Sequence, residues 1–402
     1  MKLPVVALMS LVVLLLAGCV SLFDKLPHKK WGFIDKTGRM VIAAQFDDVS
    51  RDQFGGCTWT HKVCRDFSAG LCAVRLGDKW GFIDKAGHLR VSAMYDNAGT
   101  FSEGLACVRR GTKYGYIDTS GAEVVPLRFA FPAQAASASN ANPDWDFTQS
   151  LMNQFEFSEG LAVASKRDKF GYIDKKGSFV IQPVFAHAAP FVEGVASVQL
   201  LEGSQRPPGN AFIDKSGTIT ATVAKHCIDY SDKAFVATNG KYGAERRLFY
   251  LDAEGKQLFA SEFEDARIFS EGLAAVAPRF DALNHGRAYG YIGKDGAMII
   301  EPQFEVSGNN LAGNFRNGRA VVSRTTTDGF GNSHNAHGVI DKAGNWIVPP
   351  QFDHISAYCD GLARAFVENR CVYLDMSGKI AVRTNTVWGN SFSEGLAAVM
   401  EP

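Results

Sequence analysis

The sequence predicts an all-β protein: a tandem array of about nine three-stranded antiparallel units, closed into a propeller-like or toroidal ring, with an open β-solenoid as the alternative. Three observations carry this. One phrase, Trp31-Gly32-Phe33-Ile34-Asp35-Lys36-Thr37-Gly38, returns almost letter for letter from Trp80, Tyr114, Phe170 and Tyr289, and more loosely at Ala211, Phe249, His337 and Cys371. A second phrase, Phe101-Ser102-Glu103-Gly104-Leu105-Ala106, alternates with it, with copies from Phe67, Phe157, Phe191, Phe235, Phe269, Phe315, Tyr358 and Phe392. Several successive copies, such as Phe67 to Phe101 and Phe157 to Phe191, stand 34 residues apart, the size of one supersecondary unit that buries its core by stacking on its neighbours.

Each element of the unit follows in order. In Lys79-Trp80-Gly81-Phe82-Ile83-Asp84, Trp80 and Phe82 point to one face and Gly81 and Ile83 to the other, the period of a strand covered on both sides. The glycine marks a close approach, where a side chain would hold neighbouring sheets apart. Asp84-Lys85-Ala86-Gly87 reads as a tight turn, with Asp capping the backbone and Gly free to take positive φ. Asp35, Asp118, Asp174, Asp214, Asp341 and Asp375 recur in that role. The return strand, clearest at Val180-Ile181-Gln182-Pro183-Val184-Phe185, carries a proline that places it at an edge or a strand end. The third strand, Leu161-Ala162-Val163-Ala164, runs through the polar turn Lys166-Arg167-Asp168-Lys169 into the next aromatic-Gly strand. A three-stranded sheet alone is marginal, and stacking supplies the missing core.

Closure follows from the two ends of the pattern. Trp31-Gly32 has no Gly-Leu-Ala strand before it, and Leu396-Ala397-Ala398-Val399 has no successor. Pairing them completes a ninth unit and removes both exposed edges.

Lys79-Trp80-Gly81-Phe82-Ile83-Asp84-Lys85-Ala86-Gly87, followed by Phe101-Ser102-Glu103-Gly104-Leu105-Ala106-Cys107-Val108, resembles the bacterial WG (or KWG) repeat family over residues 30 to 400. Departures are local: Ala211 and His337 stand at the aromatic position, and Gly293 replaces the Asp. The resemblance implies a secreted or envelope-associated repeat protein that mediates interactions, and it implies no reaction.

The first residues read as an address. Lys2 is followed by an apolar run from Val5 to Leu16, too short for a membrane-spanning helix, and then by Leu16-Ala17-Gly18-Cys19. This resembles the bacterial lipobox, which implies a signal peptide over 1–18, lipidation of Cys19, and a lipid-anchored linker over 19–29. Val20 in place of Asp then favours the outer membrane, facing the periplasm or the cell surface. The array fills 30–402, with insertions near 51–66, 133–156, 201–209, 278–287 and 324–336.

With 42 basic and 42 acidic side chains, the chain has no electrostatic footprint for nucleic acid. Nucleophile elbows, zinc-protease motifs, phosphate loops and calcium loops are absent from the sequence, and neither cofactor nor metal is expected. The recurrent Glu103, Glu159, Glu193, Glu271 and Glu394 are expected to serve the unit, bonding turn backbone or pairing with Lys79, Lys113 or Lys169. His334, His337 and His354 form the one local histidine group, the first two in a segment expected to be flexible; no third ligand at useful spacing accompanies them. Cys72 and Cys107 replace alanines and read as small core residues. Cys57 and Cys64 read as a disulfide staple of their loop, which fits an oxidising compartment. Trp59 and Trp145 stand in insertions, where each could stack on a sugar ring, anchor a peptide, or fold back as a plug. The expected function is a non-enzymatic envelope lipoprotein that binds protein or glycan through its repeat surface and insertions. The alternative is an envelope hydrolase whose active site is assembled from those insertions.

Overall fold

A computed structural model describes residues 30–49, 66–130, 152–201, 210–223, 226–239, 246–278, 288–305, 312–327, 333–368 and 370–400. Strands dominate it, arranged as eight small antiparallel sheets in a propeller-like ring. We number the units by their Gly-Leu-Ala strand. Unit 1 comprises Leu71–Leu76, Lys79–Asp84 and Leu89–Tyr95, and unit 2 Leu105–Arg110, Lys113–Asp118 and Glu123–Ala130. Units 3 and 4 begin at Ala162–Lys166 and Val195–Leu200; they share one six-stranded sheet because Phe179–Ala188 pairs on both sides. Units 5 and 6 begin at Ala234–Thr238 and Leu273–Ala277. Unit 7 comprises Arg319–Thr327, Ser333–Asp341 and Trp346–Phe352, and unit 8 Ala363–Val367, Arg370–Leu374 and Ile380–Arg383.

Unit 9 is built from both ends of the chain. Trp31–Asp35 pairs with Leu396–Met400 over five residues, from Trp31 opposite Met400 to Asp35 opposite Leu396, and Met40–Phe46 completes the sheet. The ring is therefore closed, and the open solenoid is excluded.

Four details depart from the sequence expectations. Several units gain a fourth strand, such as Asn97–Ser102 beside Leu105–Arg110, because the return strand runs on into the next unit. The glycine after the aromatic is a close approach within one sheet, not between sheets. A Cβ on Gly115 would lie 2.4 Å from the Val125 carbonyl oxygen on its own return strand, where the register shifts at a bulge. In unit 5 the hairpin turn sits at Asp232 and Lys233, both at positive φ, so Phe235 lies inside a strand and Tyr230 takes the turn aromatic's place. Lys233 replaces the glycine there, which removes the signal that marks the turn elsewhere. Ser333–Asp341 is a strand, so His334 and His337 stand in regular structure and not in a flexible segment.

The core is continuous from unit to unit. Most of the aromatic-Gly strands present a ring to the hairpin aromatic of the next unit: Phe82 to Phe101 at 5.0 Å, Tyr172 to Phe191 at 4.7 Å, Tyr291 to Phe315 at 4.9 Å. Phe33 meets Phe67 at 5.3 Å, carrying the same contact across the closure. Such pairs add about 0.5–1.5 kcal/mol beyond their burial. Cys72 and Cys107 are buried free thiols in this core, as expected.

Candidate functional site

The repeated polar residues are consumed at the joints between units. Each second phrase forms a two-residue hairpin turn with both residues at positive φ, as at Glu103 (φ 52) and Gly104 (φ 85). A non-glycine side chain there is disfavoured by the backbone. At most of these turns it is an acid that clamps the neighbouring unit. Glu103 accepts the Gly160 N–H and pairs with Lys175 at 3.2 Å. Glu159 accepts the Gly194 N–H and pairs with Lys215 at 2.8 Å; Glu271 accepts the Gly318 N–H and pairs with Lys342 at 3.2 Å. Glu394 does the same with Gly70 and Lys85, and Asp360 with Gly395 and Lys36, across and beside the closure. Burial pushes the Glu159 and Glu271 carboxyls up, but these donors outweigh it and hold both below the usual range.

The partners are therefore the lysines of the Asp-Lys-x-Gly turns. Lys79, by contrast, pairs with Asp96 at 2.6 Å, and Lys113 donates to the Arg128 carbonyl. The sequence varies in step with this geometry. Where the acid is missing, at Ala69 and Asn317, the matching lysine is missing too, replaced by Thr119 and Met376. Glu193 breaks the pattern: Ala253 stands at its lysine position, and Glu193 accepts the Lys233 N–H.

The recurrent aspartates fold their own turns. Asp84 Oδ1 accepts the N–H groups of Ala86 and His88, and Asp214 those of Ser216 and Thr218. Hydrogen bonding from the Thr37 hydroxyl lowers the Asp35 carboxyl to about 2. The turn glycines then pack on the previous unit. A Cβ on Gly87 would meet Ile42 at 2.9 Å, and one on Gly378 would meet Val348.

Cys19, Cys57, Trp59, Cys64 and Trp145 lie outside the described residues. The last residues of the 133–156 insertion are packed into the ring: Met152 and Phe155 are buried, Tyr116 donates its hydroxyl hydrogen to the Phe155 carbonyl, and Thr100 bonds Glu156. Cys359 is disulfide-bonded, whereas Cys371 is a buried free thiol. His337 is buried with its ring 5.7 Å from His354. Among the described residues, no group of three or more His, Cys, Asp or Glu could hold a metal ion. The exposed apolar side chains gather on return strands, at Val41, Val124, Val180 and Ile299, and at the adjacent Val387 and Trp388. Trp388 stacks edge-on to Phe366 at 6.3 Å. Sequence reading passed over Trp388 because it falls between the two phrases, in a stretch with no repeated pattern to depart from.

A family model described as a WG containing repeat matches residues 31–56, 80–114, 114–131, 170–202, 249–277, 289–324 and 338–371, together just over half of the chain. No curated protein matches. Among solved structures, one described as a eukaryotic initiation factor is similar with a TM-score of 0.52 at 10% identity, covering 93% of this chain and 98% of that one. The likeness is one of fold. The β-propeller domain of the Trilobed protease from Pyrococcus furiosus gives a TM-score of 0.35 at 13% identity, over 58% of this chain and 84% of that one. AztD from Citrobacter koseri gives 0.33 at 13% identity, over 93% and 99%.

Proposed function

The chain belongs to the family of WG-containing repeat proteins, and on that premise we propose that it is a non-enzymatic envelope scaffold, lipid-anchored through Cys19, that captures a protein or glycan partner. One observation carries this reading. The repeated carboxylates, lysines and hydroxyls are committed to joints and turns, so they offer a ligand little that differs from unit to unit. Individual chemistry is left to the insertions, which break the repeat, and to exposed side chains such as Trp388. The disulfide at Cys359 supports an oxidising compartment, and the Leu16-Ala17-Gly18-Cys19 stretch supports an acylated anchor.

The test replaces residues 136–150 by a Gly-Ser linker and compares partner capture from envelope extracts with thermal melting. Weakened capture with nearly unchanged melting supports the scaffold. Collapsed melting, with capture lost only in proportion, makes the segment a structural plug and contradicts the binding role.

A further inference from the structure

One joint is built unlike the rest. Between units 7 and 8, Val339 stands where other units carry the ring that meets the next hairpin aromatic, here Tyr358. Asn317 replaces the clamping acid and Met376 its lysine, so no ion pair can form between those positions. Arg316 replaces the serine whose hydroxyl elsewhere bonds the next unit's carbonyl, as Ser270 does to Phe315. Apolar packing around Val339, Val348 and Tyr358 holds this joint, with Arg319 donating twice to the Met376 carbonyl and standing over the Tyr358 ring.

The same joint holds the His337 and His354 pair. Both Nδ1 atoms are buried, and neither has a hydrogen-bond partner among the described residues. An imidazole nitrogen buried in this way is tolerated while neutral, but a proton on it creates a poorly solvated charge. The charged groups facing the pair are Arg364, which opposes protonation of His354, and Asp353, whose backbone and carboxylate partly favour it at His337. Burial first, then Arg364 and His337, lowers His354 to about 4; burial also lowers His337.

We propose that the joint between units 7 and 8 is an acid-sensitive opening point of the ring, released when His337 and His354 take up protons while the clamped joints hold. The sign follows from linkage. A histidine held below its unfolded value of about 6.5 binds more protons when the joint is open. The closed joint is fully favoured above that value, and the advantage is lost as pH falls toward 4.

Unit 3 supplies an internal control. It carries the same pair with a phenylalanine in the first place, Phe170 at 5.9 Å from His187, at a joint that keeps the Glu159–Lys215 clamp and the Tyr172–Phe191 contact. The test is amide hydrogen exchange of the full chain at about pH 7 and about pH 5, corrected for intrinsic rates. It compares segments around Val339, Ile355 and Arg364 with those around Tyr172 and Phe191. Opening at the 7–8 joint should rise roughly tenfold more than at the 3–4 joint. A chain with His337→Phe and His354→Asn, residues that units 3 and 1 carry at the matching positions, should lose that excess. Equal acceleration at both joints, none at either, or an excess that survives both substitutions would overturn the proposal.

Discussion

Ser393 donates its hydroxyl hydrogen to the Phe67 carbonyl at 2.6 Å, joining positions 326 residues apart. The same bond links Ser68 to Phe101 and Ser158 to Phe191 between units that follow one another in sequence. The closure is thus chemically an ordinary joint. Asp66 reinforces it from the buried side, accepting from the Asn390 side chain and the Ala398 N–H. Removing the serine hydroxyl at Ser393→Ala should cost about 1 kcal/mol in denaturant unfolding. A loss no greater than experimental error would show that the bond adds nothing to closure.

The Glu271 clamp separates into two parts. Both members of the ion pair are partly exposed, so a double-mutant cycle of Glu271→Gln and Lys342→Met should give a coupling of about 0.2–1 kcal/mol, reduced by salt. Glu271→Ala should cost more than Glu271→Gln, because it also leaves the Gly318 N–H without this acceptor. Equal losses would mean that the backbone contact carries no weight.

Gly115 and Gly104 should respond to substitution to very different degrees. Ala at Gly115 drives its Cβ into backbone of the paired return strand, and a loss of at least about 2 kcal/mol is expected by thermal or urea unfolding. Gly104 sits at φ 85 with open space around it, so Asn, which tolerates this region, should cost less than about 1 kcal/mol there.

Much of this was legible in the sequence. Two linked phrases placed the strands, the Asp-capped turns and the closing partnership of Trp31 with the last strand, because each depends on local periodicity or on counting. The joint partners were not legible. A glutamate and a lysine separated by 72 positions, such as Glu103 and Lys175, give no periodic signal, and the lysine nearest in register looked equally suitable. Only the paired loss of Asn317 with Met376, and of Ala69 with Thr119, encodes the contact. Unit 5 was misplaced because Lys233 occupies a position that glycine marks elsewhere. Trp388 escaped for a related reason, and the histidine group was seen without its buried place at a joint: such neighbours are set by ring geometry and not by sequence distance.

Acid should act on the turns as well as on the histidines. The Thr37 hydroxyl and the turn N–H groups hold the Asp35 carboxyl at about 2, below its unfolded value. That contribution is present above the unfolded value and is lost as pH falls through about 2. Carbon-detected titration of the carboxyl in a Thr37→Ala chain should show it moving up toward the ordinary range. An unmoved midpoint would assign the shift to other groups.

Cys19→Ser tests the anchor. Labelling with a fatty-acid analogue should disappear, and the chain should leave the membrane fraction. Undiminished labelling would end the lipoprotein reading.

The closed ring is the claim on which the rest depends, and zero-length carbodiimide cross-linking tests it most directly. Lys85 Nζ lies 3.0 Å from Glu394 Oε2, so peptide mapping of the cross-linked monomer should recover a Lys85–Glu394 link with a yield like that of Lys175–Glu103. Recovery of the Lys175–Glu103 link without any intramolecular Lys85–Glu394 link would contradict closure.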